Sequence, residues 1–335
     1  MKLTGKNIVV TGAGGFIGSH LVELLLKRGA NIKALVRYNS TSKAGWLDTL
    51  PSEVKSNIEI VFGDIRDSKF IENITKKQDL IFHLAALIGI PYSYSAPTSY
   101  VSTNIEGTLN VLEAANKNNI SKVIHTSTSE VYGSAQYVPI NESHPIQPQS
   151  PYAASKASAD YLASSYYLSF ETPVSTVRPF NSFGPRQSAR AVIPTIITQL
   201  MKGETIKMGA LDTTRDFTFV EDTAEGFIAV AESDKSLGEV INIGSEFEVS
   251  IEEVINLIAG IMKVDPKIEI DNTRVRPKQS EVTRLHACSS KAKSLTTWTP
   301  RNSGKLNFAS GLEKTIRWFE NSNNFKLINS EGYIV

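Results

Sequence analysis

Cysteine is nearly absent: one residue of 335, Cys288, carries a thiol. A single thiol excludes an intrachain disulfide and any cysteine-based metal cluster, and a packing or surface role is its ordinary use. No metal site is expected. Charge imbalance is missing as well, since 35 Lys and Arg stand against 34 Asp and Glu, a formal net charge of +1. With neither a basic nor an acidic block, an electrostatic nucleic-acid or membrane partner is not expected. No apolar run reaches the length of a membrane-spanning helix. Residues 1–6 lack the apolar stretch of a secretory signal, and the first apolar run, Ile8-Val9-Val10, is strand-sized. These absences lead to a cytoplasmic expectation. What remains is ordinary globular composition, 41% hydrophobic and 21% charged, enough for one large domain or two coupled ones.

Up to about residue 180, short apolar runs alternate with helical stretches. Residues 8–11, 32–36, 58–62, 80–84, 122–126 and 174–177 read as strands. Helices are expected over about 16–28, 100–116 and 152–170. That alternation predicts right-handed crossovers and a doubly wound parallel sheet. Beyond residue 180 the rhythm breaks. Residues 181–185 read as a loop, 192–202 and 220–231 as helices, and 207–219 as a turn-rich strand region. A late strand at 240–243 returns to the sheet, 251–261 is an amphipathic helix, and 268–284 is irregular. The smaller C-terminal α/β part is therefore interleaved with the first, not hung on a linker.

Gly12, Gly15 and Gly18 fall between the first strand and the first helix. Glycines there let the backbone approach a pyrophosphate, which free amides at the helix start attract. A generic turn also uses glycine, but the strand-turn-helix setting is the one the dinucleotide motif requires. At the end of the second strand stands Arg37, followed by Tyr38, Asn39 and Ser40. A carboxylate there would bind the ribose 2′-hydroxyl of NAD, whereas an arginine suits the 2′-phosphate of NADP. Arg37 thus favours NADP, with Asn39 and Ser40 as further donors; an arginine merely stacked on adenine would leave NAD as the cofactor. Asp64, after the third strand, is placed to touch the adenine, although Gly-Asp is also plain turn chemistry.

Thr128-Ser129-Glu130 follows the fifth strand, and Tyr152 and Lys156 share one face of the next helix. An ammonium beside a phenol favours the phenolate, so Tyr152 is a candidate base near neutral pH. Thr128 suits a substrate hydroxyl undergoing oxidation. Glu130 offers a second base, for a proton made acidic by a new ketone; a surface glutamate is the plainer alternative. Asn181, Arg190, Arg215 and Arg276 are spaced through the irregular part, where they could converge on one diphosphate or serve as separate surface ion pairs.

Gly12-x-x-Gly15-x-x-Gly18, His83-Leu-Ala-Ala86, Thr128 to Gly133, Tyr152-x-x-x-Lys156, Arg178-Pro-Phe-Asn181 and Arg215 to Asp222 together resemble the extended short-chain dehydrogenase/reductases that act on nucleotide sugars. The resemblance spans about residues 7–319. Within that group, Glu130 makes the chain similar to the 4,6-dehydratases. The stretches 86–94 and 184–194 look closest to the nucleotide-N-acetylglucosamine dehydratases of bacterial nonulosonic (legionaminic and pseudaminic) acid synthesis. The resemblance implies a Rossmann-type dinucleotide-binding part over 1–180 with a late return near 217–245, and a nucleotide-sugar-binding part over 181–335. It implies that Phe16, Ile17, Ile65, Leu84, Ala85, Ala86 and Pro179 join the glycines, Tyr152 and Lys156 around the cofactor. A homodimer through the helices near 100–116 and 152–170 is implied too. One departure stands out: Ser129 occupies the place where many dTDP-glucose dehydratases carry the acid that protonates the leaving C6 hydroxyl.

Overall fold

The run Ile8-Val9-Val10 is apolar at every position because it is buried on both faces. Ile8 and Val10 face one hydrophobic core, and Val9 faces the other. The computed structural model describes residues 1–203, 205–274 and 277–328. Its central sheet holds β1 (Asn7–Thr11), β2 (Asn31–Arg37), β3 (Ile58–Gly63), β4 (Leu80–His83), β5 (Lys122–Thr126), β6 (Val174–Pro179) and the late strand β10 (Val240–Ile243). The order is β10-β6-β5-β4-β1-β2-β3, and every pairing is parallel. The direction of winding therefore reverses between β1 and β4, which opens a crevice at their carboxyl ends.

The helices Phe16–Lys27 and Val220–Glu232 cover one face through Leu21, Val22, Leu25, Phe227 and Ile228. Ile71, Val111, Leu112, Ala163 and Tyr166 from other helices cover the opposite face. Lys122, although buried, is not a loose charge. Its ammonium donates to the Val230 carbonyl (2.8 Å) and to Ser236 Oγ (2.7 Å), pinning β5 to the end of the Val220–Glu232 helix.

The second layer is built from short strands. β7 (Asn181–Phe183), β9 (Thr214–Phe219) and β11 (Glu248–Ser250) form one sheet, and β8 (Ile206–Met208) pairs with β12 (Ile268–Ile270). Two expectations are corrected here. Residues 181–183 are a strand, not a loop, because pairing with β9 satisfies their backbone; the irregular stretch contains β12, held by β8. Phe183, Phe219 and Phe308 knit this layer, with ring centroids 5.5 and 5.1 Å from Phe183. The Ile251–Met262 helix starts on a capping box formed by Ser250 and Glu253. Among the described residues no helix is long and apolar enough to cross a membrane.

Candidate active site

The glycine turn sits at the β1 and β4 ends. Gly12 adopts φ +69°, and a side chain there would strike the Leu84–Ala85 backbone at 2.8 Å. Gly18 lets the helix start rest on the turn, since a Cβ would lie 2.3 Å from the Gly12 carbonyl oxygen. Gly15 differs: it is exposed, and a Cβ would meet only the Gly12 oxygen at 3.2 Å. No side chain caps this helix, so the amides of Phe16 and Ile17 stay open to an anion. An open glycine cradle under uncapped amides fits a dinucleotide pyrophosphate. Thr11 Oγ1 accepts the Leu84 and Ala85 amides (3.1 and 3.0 Å), which holds the β4 exit against the turn, with Ala86 next in line. Ile65 is buried against Gly107, and Pro179 ends β6 beside Ile243.

At the β2 end, Arg37 is exposed and no ion pair is seen for it among the described residues. Ser40 is exposed at the tip of the same loop. Asn39 and Asp64, both expected at the cofactor, also have local partners. Asn39 closes its own loop, donating to the Arg37 and Lys43 carbonyls (3.1 and 2.9 Å) and accepting from Lys43 N and Thr41 Oγ1. Asp64 is chelated by Arg66, whose Nε lies 2.9 Å from Oδ1, and that bond holds the carboxyl below its ordinary range.

The expected catalytic residues lie where β5 ends and the Pro151–Phe170 helix begins. Ser150 caps that helix through the Ala153 amide, and Pro151 opens its first turn. Tyr152 and Lys156 are therefore fixed within two turns of a rigid start, both buried. A one-turn 3-10 segment, Ser129–Tyr132, carries Glu130, and Thr128 Oγ1 caps it by accepting the Glu130 amide at 3.2 Å. Thr128, Ser129 and Glu130 are all buried. Burial pushes the Tyr152 phenol above its ordinary pKa; the Thr128 hydroxyl, within hydrogen-bonding reach, pulls it back down, and the Glu130 charge raises it further. In the chain by itself burial outweighs the neighbouring Thr128 donor. Lys156 is lowered by burial to about 8, with the Asp160 charge opposing.

Beside this pair runs a buried polar network that joins the motif residues His83, Tyr132 and Arg178 to Asp160 and His125, which no motif marks. Asp160 accepts from His125 Nε2 (3.0 Å), Ser127 Oγ (2.7 Å) and Arg178 Nε (3.0 Å). Arg178 Nη1 donates to the Tyr132 hydroxyl at 2.9 Å, and that hydroxyl donates to Asn242 Oδ1 at 2.7 Å. His83 lies 2.9 Å from Thr11 Oγ1 and 3.0 Å from Thr108 Oγ1. Thr108 donates its own proton to the Asn104 carbonyl, so His83 Nε2 is the donor and Nδ1 accepts from Thr11. Burial keeps this imidazole neutral. A π-helical turn, Val101–Glu106, brings Asn104 to the Leu87 backbone and to Ser155 Oγ (2.9 Å), tying the β4 exit to the Tyr152 helix.

The expected anion-binding residues are spread around this pocket. Arg215 is buried on β9 and pairs with Glu281 at 3.4 Å. Arg190 is exposed, yet its charge is felt at Tyr100, whose ring lies 6.3 Å from that of Tyr152. Asn181 carries a buried Oδ1 with no hydrogen-bond partner. Arg276 lies outside the described residues. Among the described residues no cluster of His, Cys, Asp and Glu could hold a metal ion.

Comparison with known proteins adds to this geometry. A family model described as GDP-mannose 4,6 dehydratase matches residues 9–315. The human dTDP-D-glucose 4,6-dehydratase is 33% identical over 96% of this chain and 92% of its own. A UDP-N-acetylglucosamine 4-epimerase from Methanobrevibacter ruminantium M1, solved with UDP-N-acetylmuramic acid, is 33% identical, covers 94% of this chain and 98% of its own, and superposes with a TM-score of 0.85. The dTDP-glucose 4,6-dehydratase DesIV from Streptomyces venezuelae, solved with NAD, is 28% identical over 95% of this chain and 98% of its own, also with a TM-score of 0.85. The chain therefore belongs to the GDP-mannose 4,6 dehydratase family, as an enzyme of the nucleotide-sugar dehydratase and epimerase type.

Proposed function

We propose that this enzyme is a nucleotide-sugar 4,6-dehydratase, taking UDP- or GDP-N-acetylglucosamine to the 4-keto-6-deoxy sugar. The observation that carries this reading is Glu130, buried in the same turn as Thr128 and acting electrostatically on the Tyr152 phenol. A simple C4 epimerisation needs the phenol and a hydroxyl but no second carboxylate. The N-acetyl sugar, and a place in nonulosonic acid synthesis, are taken from the stretches 86–94 and 184–194.

The cofactor is held by Gly12, Gly15, Gly18 and the amides of Phe16 and Ile17, with Arg37 directed to a 2′-phosphate, which makes NADP the preferred form over NAD. A bound nicotinamide supplies the hydride acceptor at C4 and later the hydride donor at C6. Thr128 orients the C4 hydroxyl, and Tyr152 takes its proton, with the ammonium of Lys156, buried one turn along the same helix, as the supporting charge. The resulting ketone acidifies C5–H, and Glu130 removes that proton. The C6 hydroxyl leaves as water, protonated by Glu130 itself, by Ser129 or by solvent. Asn181, Arg190, Arg215 and Arg276 hold the diphosphate, so binding far from C5 fixes the geometry there. Asn181 supports this through its buried, unpartnered amide oxygen.

The protein acts in the cytoplasm and pairs with a second copy of itself. Tyr161 and Leu168, 64% and 76% exposed on the outer face of the Pro151–Phe170 helix, support that pairing. Mass spectrometry and NMR of a nucleotide-sugar panel test the reading. A product lighter by one water and bearing a C6 methyl is expected. A vinyl group would indicate a 5,6-ene-forming dehydratase, loss of carbon dioxide a glucuronate decarboxylase, and an unchanged mass the 4-epimerase that the Methanobrevibacter relative represents.

A further inference from the structure

Asp160 lies one helical turn beyond Lys156 and two beyond Tyr152, so all three side chains share a face of the Pro151–Phe170 helix. The Lys156 ammonium is buried and makes no hydrogen bond or ion pair with another described residue. An ammonium taken out of water in that way gives up its proton unless an anion nearby opposes the loss.

Titratable and charged groups from several elements lie near this helix. His83 on β4 and His125 on β5 are buried imidazoles kept neutral by burial, and Arg178 on β6 is a second buried cation. Glu130 and Tyr132 belong to the 3-10 turn, and Tyr100 stands beside Tyr152. Glu113 is bound by Tyr166, further along the helix. Among these charges it is Asp160 that supports the Lys156 cation. Its carboxylate is held ionised: burial works to raise its pKa, but donors from His125, Arg178 and Ser127 outweigh burial and bring it down. β5 with its exit, β6 and the Pro151–Phe170 helix thus converge to fix one negative charge beside the reactive pair.

We propose that Asp160 is a positioning residue for the proton transfer, a fixed counter-charge that keeps Lys156 an ammonium, with His125, Ser127 and Arg178 holding that charge in place. The assignment rests on Tyr152 and Lys156 being the redox pair. It does not depend on which reaction follows C4 oxidation.

The pH dependence of nucleotide-sugar-driven reduction of the bound nicotinamide tests it. In Asp160→Asn a negative charge is lost, so the ammonium gives up its proton at lower pH and the phenol does likewise. Both limbs of the rate profile should move acid-ward by roughly one pH unit. Asp160→Glu should restore the wild-type limbs even where its plateau is lower. Arg178→Gln removes a cation and should move both limbs the other way, so it serves as the reading where Asp160→Asn fails to fold. A folded, cofactor-loaded variant of either kind whose limbs stay in place, with only the plateau reduced, overturns the proposal. A wild-type enzyme that no nucleotide sugar can reduce overturns the reading of the site itself, and the role of Asp160 with it.

Discussion

Glu130 and Tyr152 are both buried, and the carboxylate's charge works to keep the phenol's proton in place. Their roles are separable on that account. Glu130→Gln should abolish product yet leave the first step intact, with reduced nicotinamide accumulating under substrate and forming at slightly lower pH, since a charge that opposed the phenolate is gone. Near-ultraviolet absorbance under single turnover follows this, and a variant making product at the wild-type rate would remove Glu130 from the mechanism.

Tyr152→Phe should stop even the first step. Losing the positioned base lowers the rate by about 10²–10⁴-fold. Unchanged nicotinamide reduction in this variant would contradict the role given to the phenol.

Gly18→Ala tests the cradle. Its Cβ would stand 2.3 Å from the Gly12 carbonyl oxygen, and backbone must shift to admit it. Overpacking of this kind costs about 1–3 kcal/mol, so a lower melting temperature together with poorly retained dinucleotide is expected. Retention of cofactor at wild-type level would mean that the turn does not contact it.

Arg37→Asp should reverse cofactor preference. Loss of a charge-assisted bond to the 2′-phosphate costs about 1.5–3 kcal/mol, roughly tenfold to a hundredfold in affinity for NADP, while NAD binding improves. Identical dinucleotide affinities in wild type and variant would remove Arg37 from the site.

Acid lability should track a partly buried neutral histidine. His20 donates Nε2–H to the Pro185 carbonyl at 3.0 Å and is pushed by burial, then by Arg186, from 6.5 down to about 4. The unfolded chain takes up this proton first, so stability falls as pH drops from about 6.5 toward 4, by on the order of 3 kcal/mol. In His20→Gln that portion of the pH dependence should vanish from urea-unfolding curves, whereas an unchanged slope would place the lability elsewhere.

Much of the central sheet could be read in advance because its strands are buried on both faces and so appear as unbroken apolar runs, as in Ile8-Val9-Val10. The short strands of the second layer lack that signal. β7 carries Asn181 and leads into Gly184-Pro185, which resembles a loop, and all three residues of β12 are exposed. The Ser68–Ile74 helix, at seven residues, is too short to show a period. In the pocket, Thr128, Glu130, Tyr152 and Lys156 stand out because a strand end and a capped helix start bracket them. Asp160 follows Lys156 at the same spacing, but what distinguishes it is the company of His125 and Arg178, which arrive from other strands. Asn39 and Asp64 have local partners that spacing does not reveal.

The most direct test of a carboxylate acting at C5 is the reaction run in heavy water. Glu130, having taken the C5 proton, exchanges it with solvent before a proton returns to that carbon. The account predicts a 4-keto-6-deoxy product carrying deuterium at C5 from the wild-type enzyme and none of that product from Glu130→Gln. A product with its original C5 proton retained, or C5 deuteration undiminished in Glu130→Gln, would contradict it.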